Sequence, residues 1–82
     1  MKRRRDKIAI LVDMLEVIGN GARKTHIVYK ANLNFESCRR YLNAMRNADL
    51  VDIQVGSPMK WAITEKGRTF LKKYKEFTNI SL

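Results

Sequence analysis

Apolar residues recur at helical spacing along the first quarter of the chain. Since residues three and four positions apart lie on one face of an α-helix, this pattern predicts a helix from about Arg5 to Ile18 that packs one side against a core. The segment Gly19 to Gly21, which reads Gly-Asn-Gly, predicts the end of this helix, because both residue types tolerate the left-handed backbone that closes helices. The predicted core stripe consists of Ile8, Leu11, Val12, Leu15 and Ile18.

A second apolar line on the first helix is formed by Ile10, Met14 and Val17. Two interpretations of this line stay open. Either it contacts a second protein chain, or the last helix of the same chain covers it. If the protein forms a dimer, this line together with the outer surface of the last helix is the predicted interface.

The middle of the chain predicts two more helices joined by a tight corner. The second helix is short and ends near Lys30, with Thr25 as its N-cap residue. Residues 32–34 form the corner, and Asn34 is the predicted N-cap of a third helix that runs to about Ala48. The core face of this third helix is predicted to carry Phe35, Cys38, Tyr41, Leu42 and Met45.

The polar face of the third helix has an unusual composition. Opposite the core face it carries Glu36, Arg40, Asn43 and Asn47, and Arg39 and Arg46 flank it. Asn is a mediocre helix former, so two of them within one helix require a reason other than propensity. Arg offers a planar fork to guanine edges or phosphates, and Asn pairs bidentately with adenine, so this face suits a DNA major groove. A merely solvated face is the alternative.

After Asp49 the pattern changes to the two-residue repeat of a β-strand. Residues 51–55 alternate apolar and polar, and a turn at Gly56 to Met59 leads to a second strand from Lys60 to Thr64. Two strands so joined predict an antiparallel hairpin, which needs a helical layer for stability. Thr64 is the predicted N-cap of a final helix. The predicted inward side chains here are Trp61 and Ile63 of the strand and Phe70, Leu71, Tyr74 and Phe77 of the helix.

This order of elements is typical of a winged helix-turn-helix, a mostly α, α+β architecture, here predicted as a single domain over residues 1–82. In that architecture the third helix is the recognition helix, and Val55 to Lys60 forms the wing. The predicted base-reading residues are Glu36, Ser37, Arg40, Asn43 and Asn47. The predicted phosphate contacts are Lys24, Thr25, Lys30, Arg39, Arg46 and Lys60.

Composition agrees with a polyanionic partner. The chain has 17 Lys and Arg against 8 Asp and Glu, a formal charge of +9. Such a charge on a small body attracts nucleic acid or an anionic surface, although simple solubility is the alternative. The basic segment Lys2 to Arg5 fits a phosphate-binding arm, a nuclear address or a solvated terminus.

Catalytic and metal chemistry find no support in the sequence. One cysteine, Cys38, excludes an internal disulfide, and together with one histidine, His26, it cannot supply the ligands of a zinc site. We find no Gly-rich phosphate loop, carboxylate cluster or nucleophile with a base, so we expect a non-enzyme without cofactor or metal. The apolar run Ile8 to Val12 is too short to span a membrane, which favours an intracellular protein.

Two blocks of sequence also resemble a known family. Lys-Thr-x-Ile-x-Tyr-Lys-Ala-x-Leu stands at Lys24 to Leu33, and Thr-Glu-Lys-Gly stands at Thr64 to Gly67. With the sequence around them, from about Lys2 to Phe77, these blocks resemble the small archaeal winged-helix DNA-binding proteins related to the Sulfolobus chromatin-associated type.

The resemblance implies binding of double-stranded DNA, a role as transcriptional regulator or nucleoid-associated chromatin protein in the cytoplasm, and a homodimer formed through helix 1 and the C-terminal helix. Relatives can carry a longer final helix that forms a coiled coil with a second subunit. A full coiled coil is not expected here, because this sequence ends soon after Phe77.

Two other functions stay open. Winged helices also serve as protein-interaction modules without direct DNA binding, and the line Ile10, Met14 and Val17 would then be the docking surface. Binding of single strands or RNA is less favoured, because no exposed aromatic platform is predicted. Trp61 is assigned to the core. Tyr29 either packs under helix 3 or offers its hydroxyl to a phosphate, and His26 is a surface or phosphate-contacting residue.

Overall fold

The computed structural model describes residues 6–79, so the basic segment Lys2 to Arg5 lies outside the described residues. The predicted order and type of the elements are confirmed. They are α1 (Lys7–Ile18), α2 (Lys24–Lys30), α3 (Phe35–Asn47), β1 (Val51–Gln54), β2 (Lys60–Ile63) and α4 (Glu65–Thr78).

The ends of three helices are fixed by local side-chain chemistry. Asp6 begins α1 by accepting a hydrogen bond from the Ala9 amide at 2.8 Å, and Gly19 ends it with a φ of 48°. As predicted, Asn34 caps α3, and its Oδ1 accepts from the Ser37 amide at 2.7 Å. Thr64 caps α4 in the same way. These caps satisfy amides that would otherwise lack a partner in the first helical turn.

The second helix begins differently from the prediction. Its N-cap position is Arg23, which makes no side-chain capping bond, so Thr25 lies inside the first turn and the predicted cap is wrong. The start is set by the strand-like pairing of Ala22 with Trp61. Their backbones exchange two hydrogen bonds of 2.8 Å each, after which the chain turns directly into α2.

The hairpin turns its apolar side chains toward the helices. β1 and β2 pair antiparallel, with Val51 opposite Ile63 and Ile53 opposite Trp61. Val51, Trp61 and Ile63 are buried, while Ile53 is half-buried. The predicted alternation is confirmed for Val51 and Ile53, but Val55, which shares that predicted face, lies beyond the end of β1 and is 97% exposed. The hairpin gains its helical support from α1, α3 and α4.

One cluster of buried residues forms the core among the described residues, and all four helices and both strands contribute to it or pack against it. The stripe of α1 is buried at Val12, Leu15 and Ile18. On α3 the buried side chains are Cys38, Leu42 and Met45. Within residues 6–79, no helix has the length and apolar content that crossing a bilayer requires.

The second apolar line of α1 is not a free surface. Met14 is 0% exposed, and Ile10 and Val17 are half-buried against the core of the same chain. α1 contacts α2, α4 and β2, so it is enclosed on several sides. Met14 therefore cannot contribute to the predicted dimer interface or to a docking surface, and cover within the same chain accounts for its apolar character.

Three residues predicted to face the core are exposed instead. Ile8 is 46% exposed, Phe35 is 57% exposed and Phe77 is 73% exposed. Each lies in the first or last turn of its helix. The helical period gives the direction of a side chain but not the extent of the core, so the apolar pattern continues past the point where the core ends.

Candidate nucleic-acid interface

Helix α3 has an apolar face toward the core, which we call its back, and a polar face toward solvent, which we call its front. Cys38, Leu42 and Met45 are at most 1% exposed and hold the back of the helix on the core. The opposite side points to solvent along the length of the helix. The exposed polar residues on or beside this front are Glu36, Arg39, Arg40, Asn43, Arg46 and Asn47. The predicted outward direction of the Arg and Asn side chains is therefore what the structure shows.

Most of the polar groups on this front are uncommitted. Glu36, Asn43 and Asn47 make no side-chain hydrogen bond or ion pair with any other residue between 6 and 79. Arg40 makes a weak side-chain hydrogen bond, in which its Nη2 donates to Ser37 Oγ at 3.5 Å. A partner that supplies acceptors can therefore engage these groups without breaking strong internal bonds.

Ser37 differs from the other predicted base-reading residues. It is half-buried, its amide donates to the Asn34 cap, and its hydroxyl accepts from Arg40. The Ser37 hydroxyl is therefore partly engaged within α3, unlike the side chains of Glu36, Asn43 and Asn47. The Arg40 guanidinium also lies 6.0 Å from the centre of the Tyr41 ring, a distance at which a cation is weakly attracted to an aromatic face.

Arg46 lies at the edge of this front, next to the hairpin. Its Nε is 3.5 Å from Asp52 Oδ1, and the two side chains are 52% and 67% exposed. Exposed ion pairs of this kind contribute at most about 1 kcal/mol, because water screens both charges. Arg46 can therefore exchange Asp52 for a phosphate at small cost.

The remaining predicted phosphate contacts lie on α2 and at the start of β2. Thr25, Lys30 and Lys60 are exposed, whereas Lys24 is half-buried. Burial raises the pKa of the Cys38 thiol, and the positive charge of Lys24 opposes that shift. Lys24 is therefore near enough to influence the back of α3, while Cys38 itself is an unreactive core thiol at neutral pH.

Two exposed residues of α2 and its N-cap, Tyr29 and Arg23, have no assigned role on the sequence pattern alone. The structure exposes 84% of Tyr29, which excludes packing beneath α3, and Arg23 is exposed at the entrance to α2. The helical period carried a signal for Tyr29, since it lies on the opposite side of α2 from the buried Ile27. Among residues 6–79, no group of three or more His, Cys, Asp or Glu is placed to hold a metal ion.

Comparison with known proteins gives concordant results. An uncharacterized protein of Methanocaldococcus jannaschii is 31% identical over 74 residues, which cover 89% of this chain and 34% of that protein. This chain thus spans about a third of the length of that relative. The crystal structure of Sso10a-2, a DNA-binding protein from Sulfolobus solfataricus, superimposes with a TM-score of 0.81 at 25% identity, covering 90% of this chain and 79% of that one.

The family profile described as winged helix-turn-helix matches residues 4–81, almost the complete chain. The profile agrees with the observed order of three helices, a two-stranded antiparallel hairpin and a fourth helix. The chain therefore belongs to the winged helix-turn-helix family.

Proposed function

We propose that this protein binds double-stranded DNA by inserting the front of α3 into the major groove, as a transcriptional regulator or chromatin-associated protein. The observation that carries the proposal is the exposed and largely uncommitted set of Arg40, Asn43 and Asn47 on a helix anchored by its back. Arg and Asn side chains on a recognition helix read guanine and adenine edges. Glu36, which is also exposed, is proposed to accept a hydrogen bond from a cytosine amino group.

The cations around this front are proposed to hold the DNA backbone. Lys30, Arg39, Arg46 and Lys60 are exposed, Thr25 adds a hydroxyl, and Lys24 contributes charge from a half-buried position. The net charge of +9 favours such contacts. The likeness to Sso10a-2, which is described as a DNA-binding protein, supports the same proposal.

The salt dependence of binding tests this proposal. If about five phosphates are neutralised, a plot of log K against log salt should have a slope near −4.5, since each contact contributes about −0.9. The measurement is fluorescence anisotropy of a labelled duplex at several salt concentrations. Lys30→Ala should reduce the magnitude of the slope by about 0.9. Lys72→Ala on α4 should leave it unchanged. A flat salt response in the unaltered protein would refute the proposal.

Selection of bound sequences from a random duplex pool decides between the two cellular roles. Recovery of a defined motif would support sequence-specific regulation, because direct base contacts discriminate by roughly 1–3 kcal/mol each. Recovery of no motif would support an architectural role based on phosphate contacts. A palindromic motif would indicate a two-fold dimer on the DNA.

A homodimer is proposed through the exposed apolar ends of α1 and α4. Lys75 pairs with Glu16 and Arg68 bonds to Asn20, so the two helices run antiparallel, and the start of α1 lies at the same end of the pair as the finish of α4. Ile8 and Phe77, which are 46% and 73% exposed, are proposed to replace Met14 in the interface. Phe77→Asp should convert a dimer to a monomer in sedimentation experiments, whereas Thr69→Asp on the same helix should not.

A further inference from the structure

A cleft lies between α2 and the start of β2, next to the proposed duplex-binding surface. Its volume is about 530 Å³, and it is lined by Arg23, Thr25, His26, Tyr29 and Lys60 together with residues 21 and 22. We call it the α2–β2 cleft. It shares Thr25 and Lys60 with the proposed phosphate contacts, so the two surfaces are continuous.

The lining of the α2–β2 cleft is basic and aromatic. Arg23 and Lys60 supply positive charge, and no Asp or Glu contributes to the lining. Arg23, His26 and Lys60 make no side-chain hydrogen bond or ion pair with another residue between 6 and 79. The cleft therefore offers free donors and cations to an anion, with no carboxylate beside them to repel it.

Tyr29 gives the cleft an aromatic surface. Its side chain is 84% exposed, and within the described part of the chain its ring contacts no other aromatic ring. The sequence predicted no exposed aromatic platform, and Tyr29 shows that this expectation was wrong. An open ring beside two cations is the combination that single-stranded nucleic-acid sites use, because bases stack on the ring while the cations hold the flanking phosphates.

The floor of the cleft is held in place by the hairpin. Ala22 and Trp61 exchange two backbone hydrogen bonds of 2.8 Å, and Gln54 Nε2 donates to the Asn20 carbonyl at 3.3 Å. A Cβ on Gly21 would lie 3.1 Å from Gln54 Oε1 and 3.6 Å from Lys60 Cδ. A side chain at position 21 would therefore crowd the Gln54 amide, while its contact with the stem of Lys60 would be an ordinary one.

We propose that the α2–β2 cleft binds an unpaired nucleotide of a DNA strand, with its base stacked on Tyr29 and its flanking phosphates paired with Arg23 and Lys60. The inference rests on the nucleic-acid binding proposed above and narrows its target. The preferred ligand is a duplex that continues into a single-stranded segment. The duplex occupies the front of α3, and the first unpaired nucleotide enters the cleft.

Two DNA probes test the inference with the full chain. One is a blunt duplex, and the other is the same duplex with a single-stranded tail of about six nucleotides, within the range one small domain covers. The tail carries 2-aminopurine next to the junction, because its fluorescence falls when the base stacks. The unaltered protein should bind the tailed probe on the order of tenfold more tightly, equivalent to about 1.4 kcal/mol, a typical value for one stacked base.

Variants of Tyr29 and Arg40 separate the two surfaces. Tyr29→Leu removes the ring and should abolish both the preference for the tail and the 2-aminopurine quenching, while leaving blunt-duplex affinity unchanged. Tyr29→Phe keeps the ring and should retain both effects. Arg40→Ala should weaken binding to both probes by the same factor and preserve the preference for the tail.

Three results would overturn the inference. They are equal affinity of the unaltered protein for both probes, a tail preference that survives Tyr29→Leu, and an equal loss on both probes in that variant. If the protein does not bind duplex DNA at all, the experiment would give a different result. In that case the blunt probe would not bind, while a tail-dependent signal sensitive to Tyr29→Leu would still support the cleft.

Discussion

Helices α3 and α4 have similar sequence patterns, but the fold uses their cations differently. Each is amphipathic, begins at a capping side chain and carries Lys or Arg on its outer side. On α4, Arg68 Nη2 donates to Asn20 Oδ1 at 2.7 Å and Lys75 Nζ lies 2.7 Å from Glu16 Oε2, so both side chains join α4 to the end of α1. On α3, the corresponding contacts are both 3.5 Å long: Arg40 contacts Ser37 in the same helix, and Arg46 contacts Asp52 at the exposed edge of the hairpin.

This difference shows that the number of cations on a helix is a poor guide to its function. The first turn of α4 is closed against the hairpin, where Thr64 Oγ1 accepts from the Gly67 amide at 3.0 Å and donates to the Asp49 carbonyl at 2.6 Å. The first turn of α3 is open, with Asn34, Phe35 and Glu36 exposed. We infer that α4 braces the fold while α3 presents a surface to a partner.

The largest expected effect comes from the closed turn of α4. Gly67→Ala would place a Cβ against the Leu50 carbonyl oxygen and 2.7 Å from Ile63 Cγ1. Alanine normally favours a helix over glycine by about 1 kcal/mol, but overpacking against backbone costs more, so we expect a destabilisation of about 3 kcal/mol. Urea denaturation measures this change.

Gly56→Ala in the hairpin connection is the matched control. A Cβ there meets only the Pro58 carbonyl oxygen at 3.9 Å, an ordinary contact, so the stability should change by less than about 0.5 kcal/mol. Equal unfolding midpoints for the two variants would contradict the inference that α4 packs closely against the hairpin at Gly67.

The second prediction compares one arginine-to-alanine substitution in each of the two helices. Arg40→Ala should weaken specific DNA binding by roughly 1–3 kcal/mol if Arg40 reads a base, and should leave stability nearly unchanged because the residue is exposed. Arg68→Ala should do the reverse, with no change in affinity and a loss of at most about 1 kcal/mol of stability through its bond to Asn20.

Anisotropy titrations and urea denaturation on the same two preparations provide this test. If Arg68→Ala lowered the DNA affinity as much as Arg40→Ala, the inference that α4 stabilises the fold while α3 contacts the partner would fail. If Arg40→Ala weakened binding equally on every DNA sequence, Arg40 would be a phosphate contact instead of a base reader.

The third prediction compares the two capping residues. Asn34→Ala removes one capping bond and should cost about 1 kcal/mol of stability. Thr64→Ala removes a capping bond and also the hydroxyl donor to the Asp49 carbonyl, so it should cost about 2 kcal/mol. Thr64→Ser keeps both bonds and is the control. Thermal unfolding that ranked Asn34→Ala as the more damaging change would argue against the double role of Thr64.

Features set by neighbouring residues were predictable from the sequence. The caps at Asn34 and Thr64, the alternation around Val51 and the outward direction of Arg40 each depend on a local period or on a bond across three positions. Local rules also fixed the back of α3, because its buried residues repeat at helical spacing.

Features set by distant parts of the chain were not predictable. α2 begins after Ala22 because that residue pairs with Trp61, far along the sequence, which no local cap preference reveals. Met14 is buried because α1 is enclosed by other elements, whereas the helical period alone left cover within the chain and contact with a second chain equally open. At the candidate site, the pairing of Arg46 with Asp52 and the cleft around Tyr29 both require the hairpin to be in place.

The smallest expected effect concerns the back of α3 at alkaline pH. Burial raises the pKa of the Cys38 thiol above its ordinary value of 9.0. In the unfolded chain the thiol loses its proton near that ordinary value, whereas in the folded protein it stays protonated to higher pH. The unfolded state then binds fewer protons than the folded state, so stability should fall as the pH rises above about 9 and should not change through this group below it.

Cys38→Ala isolates this contribution. The difference in unfolding free energy between the unaltered protein and the variant should be constant below about pH 9 and should then decrease, by at most about 1.4 kcal/mol per pH unit. The same burial should keep Cys38 unreactive toward alkylating reagents until the protein unfolds. Parallel stability curves across this range, or rapid alkylation of the folded protein, would show that the back of α3 opens to solvent. The inference that a firmly buried back holds α3 on the core, with its front free to contact a partner, would then fail.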